Sequence, residues 1–435
     1  MQNLNRTILS LALPALGALI AEPLFLLIDS AFVATIGTDA LAGLALASTI
    51  LTTVVGLCIF LAYITTAQVG RLLGGGNRAG AFDVALANLW LAAGLGLLIT
   101  VATSFWAPQL VGALGGQDAV ADQAVTYLRW ALPGIPGMLV VLAATGALRG
   151  MQNTKTPLYV ATIGAVANVG LNAVLVLWLQ LGIAGSGAGT AAIQLLMGGY
   201  LAWLVLRMAR AERASLRPRL GGIGSALRSA VPLLVRTLTL RMAMLLTVWA
   251  ATGLGEVPLA SHQIVNSVWG LTALGLDAIA IAAQALVSQA AGAGDRTFIR
   301  DAVRKMTRWG AGSGAVLALL TAATAWWLPR LFGSDTAVHG TATAGLLVSA
   351  VFLPIAGIVF VLDGVLIGAG DNNYLAYTGV LTLLVYVPAV LAVVWLSPFP
   401  DDAAGLAALW LAFSGVFISA RALANWLRAR TDAWH

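Results

Sequence analysis

The sequence predicts an all-α polytopic membrane protein, with twelve transmembrane helices in two six-helix lobes related by a pseudo-two-fold axis along the membrane normal. The first observation is composition: 60% of the 435 residues are hydrophobic, 9% are charged, and the mean hydropathy is +0.92. Soluble domains carry roughly 25% charged residues. The second is the recurrence of apolar segments longer than the roughly 20 residues that a helix needs to cross hydrocarbon. The third is a repeat of the first half of the chain in the second half.

Polar or glycine-rich breaks separate the apolar segments into twelve spans. We place the spans at residues 6–36, 44–70, 84–113, 121–148, 156–180, 184–209, 225–254, 260–290, 302–331, 337–368, 374–396 and 402–428. Several exceed 25 residues, which indicates tilt or projection beyond the membrane. The first segment stays apolar past Glu22 to about Ile36, longer than a signal-peptide core, so we predict a retained span. The low charge argues against an outer-membrane barrel, whose strands alternate polar and apolar residues.

The loops between spans divide by charge. Loops after even-numbered spans carry arginine and lysine, and loops after odd-numbered spans carry mostly acidic residues. The positive-inside rule then places both termini in the cytoplasm, and we predict a multi-pass protein of a bacterial inner membrane. We divide the chain into an N-lobe (residues 1–209), a basic cytoplasmic linker (210–224) and a C-lobe (225–435). The net charge of +6 lies in these short loops and does not indicate nucleic-acid binding.

The two halves share one register. Residues 218 positions apart match in type at Pro14 and Pro232, Gly37 and Gly255, Pro136 and Pro354, Gly150 and Gly368, and Gly187 and Gly405. With six spans per half, both halves face the same way, which is a plan typical of transporters. The buried polar residues break the symmetry, since Asp29 meets Thr247 and Asn172 meets Val390.

Two carboxyl groups lie within the first predicted span. A charged side chain at the centre of a spanning helix costs about 2.5–3.5 kcal/mol even on lenient scales, so it usually has a functional reason. Glu22 and Asp29 are seven residues apart, nearly two turns, and are expected to point the same way. Pro23 is a predicted helix-bend position close to both. Because burial favours a neutral carboxyl group, Asp29 suits a proton-coupled switch. The alternatives are a permanently hydrogen-bonded structural Asp29 and a Glu22 that is merely nearby.

Polar residues in the fifth and sixth spans are the expected companions of Asp29. Asn168 and Asn172 are four residues apart and share a helix face. They could hold Asp29 by hydrogen bonds, line a cavity, or join helices as packing contacts. For Gln194 in the sixth span, the interpretations are cavity lining or helix packing.

The second lobe has its own intramembrane charges. Asp277 lies in the eighth span and Asp363 in the tenth, and the seventh span offers Arg236 and Arg241 as counter-charges. If each acid pairs with an arginine, both are structural ion pairs. We favour a functional role for Asp277, because it is deeper in its span, and a structural role for Asp363.

Aromatic residues are numerous, and most are expected at the membrane interfaces or in packing. Phe25, Tyr63 and Tyr386, with Gln194, are candidates for lining a substrate cavity. The aromatic faces among them could bind flat apolar cations through cation–π contacts.

Cofactor chemistry is not indicated. Cys58 is the only cysteine, and the three histidines are His262, His339 and His435, too far apart in sequence to suggest a metal site. The Gly74–Asn77 loop lacks the Lys-Ser/Thr of a phosphate-binding loop. A membrane enzyme would need clustered His/Asp or a metal motif, which is not visible. We therefore predict a non-enzymatic protein without cofactors, driven by an ion gradient, and a monomer because one chain holds both lobes.

Several motifs resemble those of one transporter family. They are Glu22-Pro23, Ile28-Asp29-Ser30-Ala31 and Gly37-Thr38-Asp39-Ala40-Leu41-Ala42 in the first lobe; the stretch Leu148–Pro157; and, in the second lobe, Leu276-Asp277 with Ala282–Val287 and Leu362-Asp363-Gly364 with Gly368. This ordered set resembles the multidrug and toxic compound extrusion (MATE) transporters, in particular their DinF-like branch, over nearly the whole chain.

The resemblance implies a two-lobed antiporter that exports diverse, often cationic drug-like small molecules against a proton or sodium gradient. It implies cation coupling at the first-span acid, here Asp29, with the fifth-span polar pair nearby. The sequence departs from the family in reading Asn172 where members often carry a second acid, which favours H+ over Na+. A flippase for lipid-linked precursors, of the same superfamily, is the alternative. A flippase should have extra spans and a cavity lined by cationic side chains. Arg236 and Arg241 are the only features of the sequence that favour it.

Overall fold

A computed structural model describes residues 4–214, 220–396, 399–431 and 434. The described chain is helical throughout, with short connections and no strand among these residues. The helices are α1 (Leu4–Ala34), α2 (Thr38–Leu57), α3 (Phe60–Gly74), α4 (Arg78–Ala113), α5 (Asp118–Ala131), α6 (Ile135–Gly150), α7 (Lys155–Asn172), α8 (Gly182–Ala211), α9 (Leu220–Leu254), α10 (Glu256–Ala293), α11 (Arg296–Thr324), α12 (Thr336–Ala369), α13 (Asn372–Trp395), α14 (Asp402–Trp410) and α15 (Ser419–Ala429). The predicted all-α polytopic class is confirmed.

Irregular helical turns explain why the described residues form more helices than the predicted spans. A break at Cys58 divides the second predicted span into α2 and α3, and a short 3₁₀ turn, Leu132–Gly134, divides the fourth into α5 and α6. Two stretches of π-helix, Ala173–Trp178 and Leu411–Ile418, extend α7 and join α14 to α15. The spans therefore number fewer than the helices.

Eleven described helical segments are long and apolar enough to cross a membrane. The predicted span 302–331 is the exception, since α11 is helical but strongly amphipathic. Its first half carries Arg300, Arg304, Lys305 and Arg308, which lower its apolar character. The helix ends at Thr324, and a 3₁₀ turn containing Pro329 follows, because proline cannot continue an α-helix without losing a hydrogen bond.

The chain forms two compact units. One is Leu13–Ala230; the other is Val231–His435 together with the described residues before Leu13. The predicted lobes gave all of α1 to the first unit. Its first turns instead belong to the second, where Trp309 Nε1 of α11 donates a 3.1 Å hydrogen bond to Asn5 Oδ1 and Ile8 is completely buried. Of the predicted linker 210–224, α8 takes the start and α9 the end; residues 215–219 lie outside the described chain.

The internal repeat extends to helix packing. In the first unit, a side chain at Gly146 would place its Cβ 2.4 Å from the Ala62 carbonyl oxygen. In the second, a Cβ at Gly364 would lie 2.3 Å from the Ala280 carbonyl oxygen. The two glycines are 218 positions apart, and so are the two alanines. Each unit therefore uses the same close helix approach, which only glycine allows at this separation.

Candidate functional site

Asp29 is buried in the first unit and is held by three neutral donors. The side chain is 1% exposed. Oδ2 accepts hydrogen bonds from Thr190 Oγ1 at 2.7 Å and from the Tyr127 hydroxyl at 3.1 Å, and Oδ1 accepts one from Asn172 Nδ2 at 2.6 Å. The donors belong to α8, α5 and α7. One carboxyl group of α1 thus ties its helix to three others.

The two asparagines of α7 form one hydrogen-bonded pair next to this carboxyl group. Asn172 Nδ2 also donates to Asn168 Oδ1 at 3.1 Å, and both side chains are completely buried. Asn172 is the last residue of α7 before the π-helical stretch, a feature often found at functional sites. Its Oδ1 faces Gly189 of α8, where a Cβ would lie only 2.7 Å away. Glycine at this position leaves room for the amide.

The other first-unit candidates lie in different environments. Glu22 is exposed, so it does not share the buried environment of Asp29. This holds although a separation of nearly two turns puts both residues on the same side of α1. Pro23 lies inside the continuous helix α1, as does Pro14. Phe25 is buried, and Tyr63 and Gln194 are half-buried. The structure thus brings Asp29 together with Asn168 and Asn172, and it does not add the remaining candidates to that group.

Tyr127 and Thr190 were not among the residues predicted for this site. Hydroxyl residues are ordinary in apolar helices, and these two are 98 and 161 positions from Asp29 in sequence. A signal for Thr190 is its place among small residues, because Gly187 and Gly189 precede it and Ala191 follows it on the closely packed α8. Tyr127 offers no comparable signal.

A buried ion pair occupies the second unit. Asp363 of α12 accepts hydrogen bonds at 2.5 Å from Arg236 of α9 and at 2.5 Å from Arg421 of α15, and one at 2.7 Å from Asn425. The predicted partnership of Asp363 with Arg236 is therefore present. Two arginines balance the charge of the carboxyl group and fix its position, which fits the structural interpretation of Asp363. Arg421 was missed, although an arginine seven residues inside the end of the twelfth predicted span was a visible signal.

The remaining second-unit candidates are not part of that pair. Arg241 is exposed, and the arginines bound to Asp363 are Arg236 and Arg421. Asp277 is half-buried. With Arg236 bound to Asp363, the case for a cationic cavity loses its main support.

Tyr386 lies in a packed core and not on a cavity surface. It is completely buried, its hydroxyl is 2.7 Å from Thr247 Oγ1, and its ring packs against Phe413 and Phe417. Thr247 and Tyr386 occupy the repeat positions of Asp29 and Asn168. In the second unit, a pair of neutral hydroxyl groups therefore links α9 to α13. At the corresponding positions, the first unit has a carboxyl group and an amide.

The described residues contain no group of three or more His, Cys, Asp or Glu side chains that could hold a metal ion. His262, one of the three histidines, is buried and packs against Trp410 at a ring-centroid distance of 5.6 Å. The chemistry available at Asp29 is reversible binding of a proton or a monovalent cation, because its partners are neutral and adjustable donors.

A polytopic helical protein built from two repeated units, one of which buries a carboxyl group among neutral donors, belongs to the class of membrane transport proteins. Residues 14–174 and 232–420 match the MatE family, and the two matches begin 218 positions apart, as the repeat does. The chain belongs to the MatE family. This match confirms the family resemblance of the sequence. Members of the family are transporters and not enzymes.

Known relatives extend over most of the chain. Protein DETOXIFICATION 44, chloroplastic, of Arabidopsis thaliana is 30% identical, and the alignment covers 98% of this chain and 83% of that protein. DNA damage-inducible protein F of Escherichia coli is 26% identical over 99% of this chain and 94% of that protein. The Vibrio cholerae MATE transporter VcmN in its bent form superimposes with a TM-score of 0.86 at 20% identity, covering 98% and 96% of the two chains. This structural likeness shows the fold.

Proposed function

We propose that the protein is a secondary active antiporter that exports diverse, often cationic amphipathic compounds in exchange for protons, with sodium as the alternative coupling ion. Relatives named as multidrug resistance proteins support the substrate class: NorM of Thermotoga maritima, named a probable one, is 21% identical over 85% of this chain. In this proposal the two lobes alternate access to the substrate. The small molecule and the surrounding lipids are the partners, and the monomer is the working unit.

The observation that carries the proposal is the environment of Asp29. An ionised carboxyl group can accept hydrogen bonds from all three of its partners, whereas a protonated one must donate through one oxygen. Protonation therefore forces at least one of Thr190, Tyr127 and Asn172 to turn or to release Asp29. Since these partners lie on three helices, binding a proton changes how α1 is tied to the rest of its unit. Pro23, six residues earlier, supplies a position where α1 can bend.

The identity of residue 172 supports proton coupling over sodium coupling. An amide at this position leaves Asp29 as the single carboxyl group among the contacts of the site. The amide also turns its N–H group, and not its oxygen, toward the carboxyl group. A sodium ion prefers several oxygen ligands and a second negative charge, whereas a proton needs one carboxylate.

We place the protein in a bacterial inner membrane with both termini in the cytoplasm, on the charge pattern of its loops. The coverage of DNA damage-inducible protein F, from a bacterium, over 94% of its length supports this and the DinF-like branch. The predicted lobes, 1–209 and 225–435, are the proposed moving parts, with the start of α1 assigned to the second unit.

The test is dye export from everted membrane vesicles energised by a proton gradient or by a sodium gradient. Asp29→Asn keeps the shape and removes the titratable group, so it should abolish proton-driven export. Asp122→Asn, an exposed acid on α5, is the matched control and should export normally. Undiminished export by Asp29→Asn would refute the coupling role and direct attention to Asp277. Absence of dye export by the wild type under both gradients would favour the flippase, which a lipid-flipping assay would then measure.

A further inference from the structure

Ser186 has a buried hydroxyl group that the coupling site does not yet explain. It lies on α8 one turn before Thr190, so both hydroxyl groups are on the same helix face. The side chain is 0% exposed, and Oγ has no hydrogen-bond partner. A buried serine in a helix usually bonds a carbonyl group one turn back, as Ser288 does to the Ala285 oxygen at 3.0 Å. A buried polar atom without a partner costs stability, so this one calls for a ligand.

Asn172 supplies a second buried oxygen atom without a partner. Its Nδ2 is occupied by Asp29 and Asn168, while its Oδ1 accepts no hydrogen bond. That oxygen faces Gly189, which is three residues after Ser186 and therefore on the same side of α8. Two unsatisfied oxygen atoms thus border the same side of the helix whose Thr190 bonds Asp29.

We propose that Ser186 is a further residue of the Asp29 site: with Asn172 Oδ1, its hydroxyl holds a buried water molecule that conducts the coupling proton to Asp29. The chemistry of the two groups fits water, which donates to the amide oxygen and can donate to or accept from the hydroxyl. Buried waters in proteins characteristically join about three otherwise unsatisfied polar groups. The inference rests on the proposed function, because it requires that Asp29 exchanges protons.

The position of Ser186 fits an entry path. It is four residues after Gly182, where α8 begins, and Asp29 is five residues before Ala34, where α1 ends. Thr190, which bonds Asp29, is one turn deeper along α8 than Ser186. A proton arriving from that end of α8 passes Ser186 before it reaches the carboxyl group. As one proton binds the water, another leaves it for the Asp29 carboxylate, so the water is regenerated.

The test measures proton uptake by the purified full-length protein in liposomes that contain a pH-sensitive dye, over a range of external pH. Ser186→Ala should lower the maximal uptake rate about tenfold, the factor that corresponds to losing one hydrogen bond in the path. The pH at half-maximal rate should stay unchanged, because Asp29 remains the titrating group. Ser288→Ala is the matched control, a serine of equal burial whose hydroxyl bonds its own helix, and its rate should be that of the wild type.

Thermal unfolding distinguishes a Ser186 hydroxyl that binds a water molecule from one that has no hydrogen-bond partner. If Ser186 Oγ were simply unsatisfied, Ser186→Ala would raise the unfolding temperature by removing a buried polar atom. With a bound water, the variant should unfold at the same temperature or lower. A wild-type uptake rate in Ser186→Ala, or a raised unfolding temperature, overturns the inference while Asp29 dependence stays intact. Export that survives Asp29→Asn, or that needs sodium, defeats the proposed proton coupling and the inference with it.

Discussion

Replacing Gly189 by alanine tests whether the orientation of the Asn172 amide matters for transport. The new Cβ would lie 2.7 Å from Asn172 Oδ1, where ordinary contact begins at 3.4 Å. The amide must therefore move by about 0.7 Å. It cannot do so freely, because its nitrogen is held by Asp29 at 2.6 Å and by Asn168 at 3.1 Å. The variant should loosen the bond to Asp29 without touching the carboxyl group itself.

The energetic effect of this substitution on folding is small. Overpacking of this kind costs about 1–3 kcal/mol. Alanine in a helix interior gains about 1 kcal/mol over glycine, which offsets part of that cost. We therefore expect the free energy of unfolding to fall by about 0–2 kcal/mol, which leaves a folded protein. Transport should fall more strongly, since the amide holds the coupling carboxyl group.

The assay is proton-driven dye export from everted vesicles, with thermal unfolding of the purified variants beside it. Gly170→Ala is the control, because a Cβ there meets nothing within 4 Å and Gly170 lies on α7, two residues before Asn172. The control should gain stability and export normally. Equal export by the two variants would refute the reasoning. It would also be refuted if Gly189→Ala were partly unfolded but its folded molecules exported dye at the wild-type rate.

Three further outcomes are expected. Thr190→Val keeps the shape and removes one donor to Asp29, so export should become less tightly coupled, seen as more proton leak per dye exported. Asp363→Ala leaves two buried cations without their carboxylate and should cost about 3–5 kcal/mol, measured by thermal unfolding, whereas Arg421→Ala should cost less because a second arginine remains. Gly146→Ala and Gly364→Ala should destabilise their units by similar amounts, about 1–3 kcal/mol, because each forces a Cβ against a backbone oxygen; a large difference between them would contradict the packing repeat.

Most of the fold was predictable because hydrocarbon imposes a strong and simple pattern on sequence. Apolar segments, loop charge and the 218-residue repeat determine the class and nearly all the helices. The prediction was weaker at α11, where charges within a helix resemble a loop boundary, and at the start of α1. The sequence predicts that a helix is continuous, but it does not predict which helices pack against each of its ends. The packing of residues near Asn5 in the second unit was therefore not predictable from the sequence.

The candidate site was predictable only where a residue was costly in its context. An acid inside an apolar helix identified Asp29, and two amides on one face identified Asn168 and Asn172. Thr190 and Tyr127 carry no such cost, because their hydroxyl groups are tolerated in any helix. The pairing of Asp363 with Arg236 could be proposed because both residues are charged. Which of the two candidate arginines, Arg236 or Arg241, pairs with it depends on helix rotation, which side-chain type alone does not specify.

The division of α1 between the two units has a consequence for taking the protein apart. If the chain is cut within residues 215–219 and the two pieces are made separately, the second piece lacks the turns around Asn5 and Ile8 that complete its core. Those turns remain on the first piece, although they pack in the second unit. Co-expressed pieces should therefore recover one another, whereas a second piece alone should be unstable unless a copy of those first turns is grafted onto it.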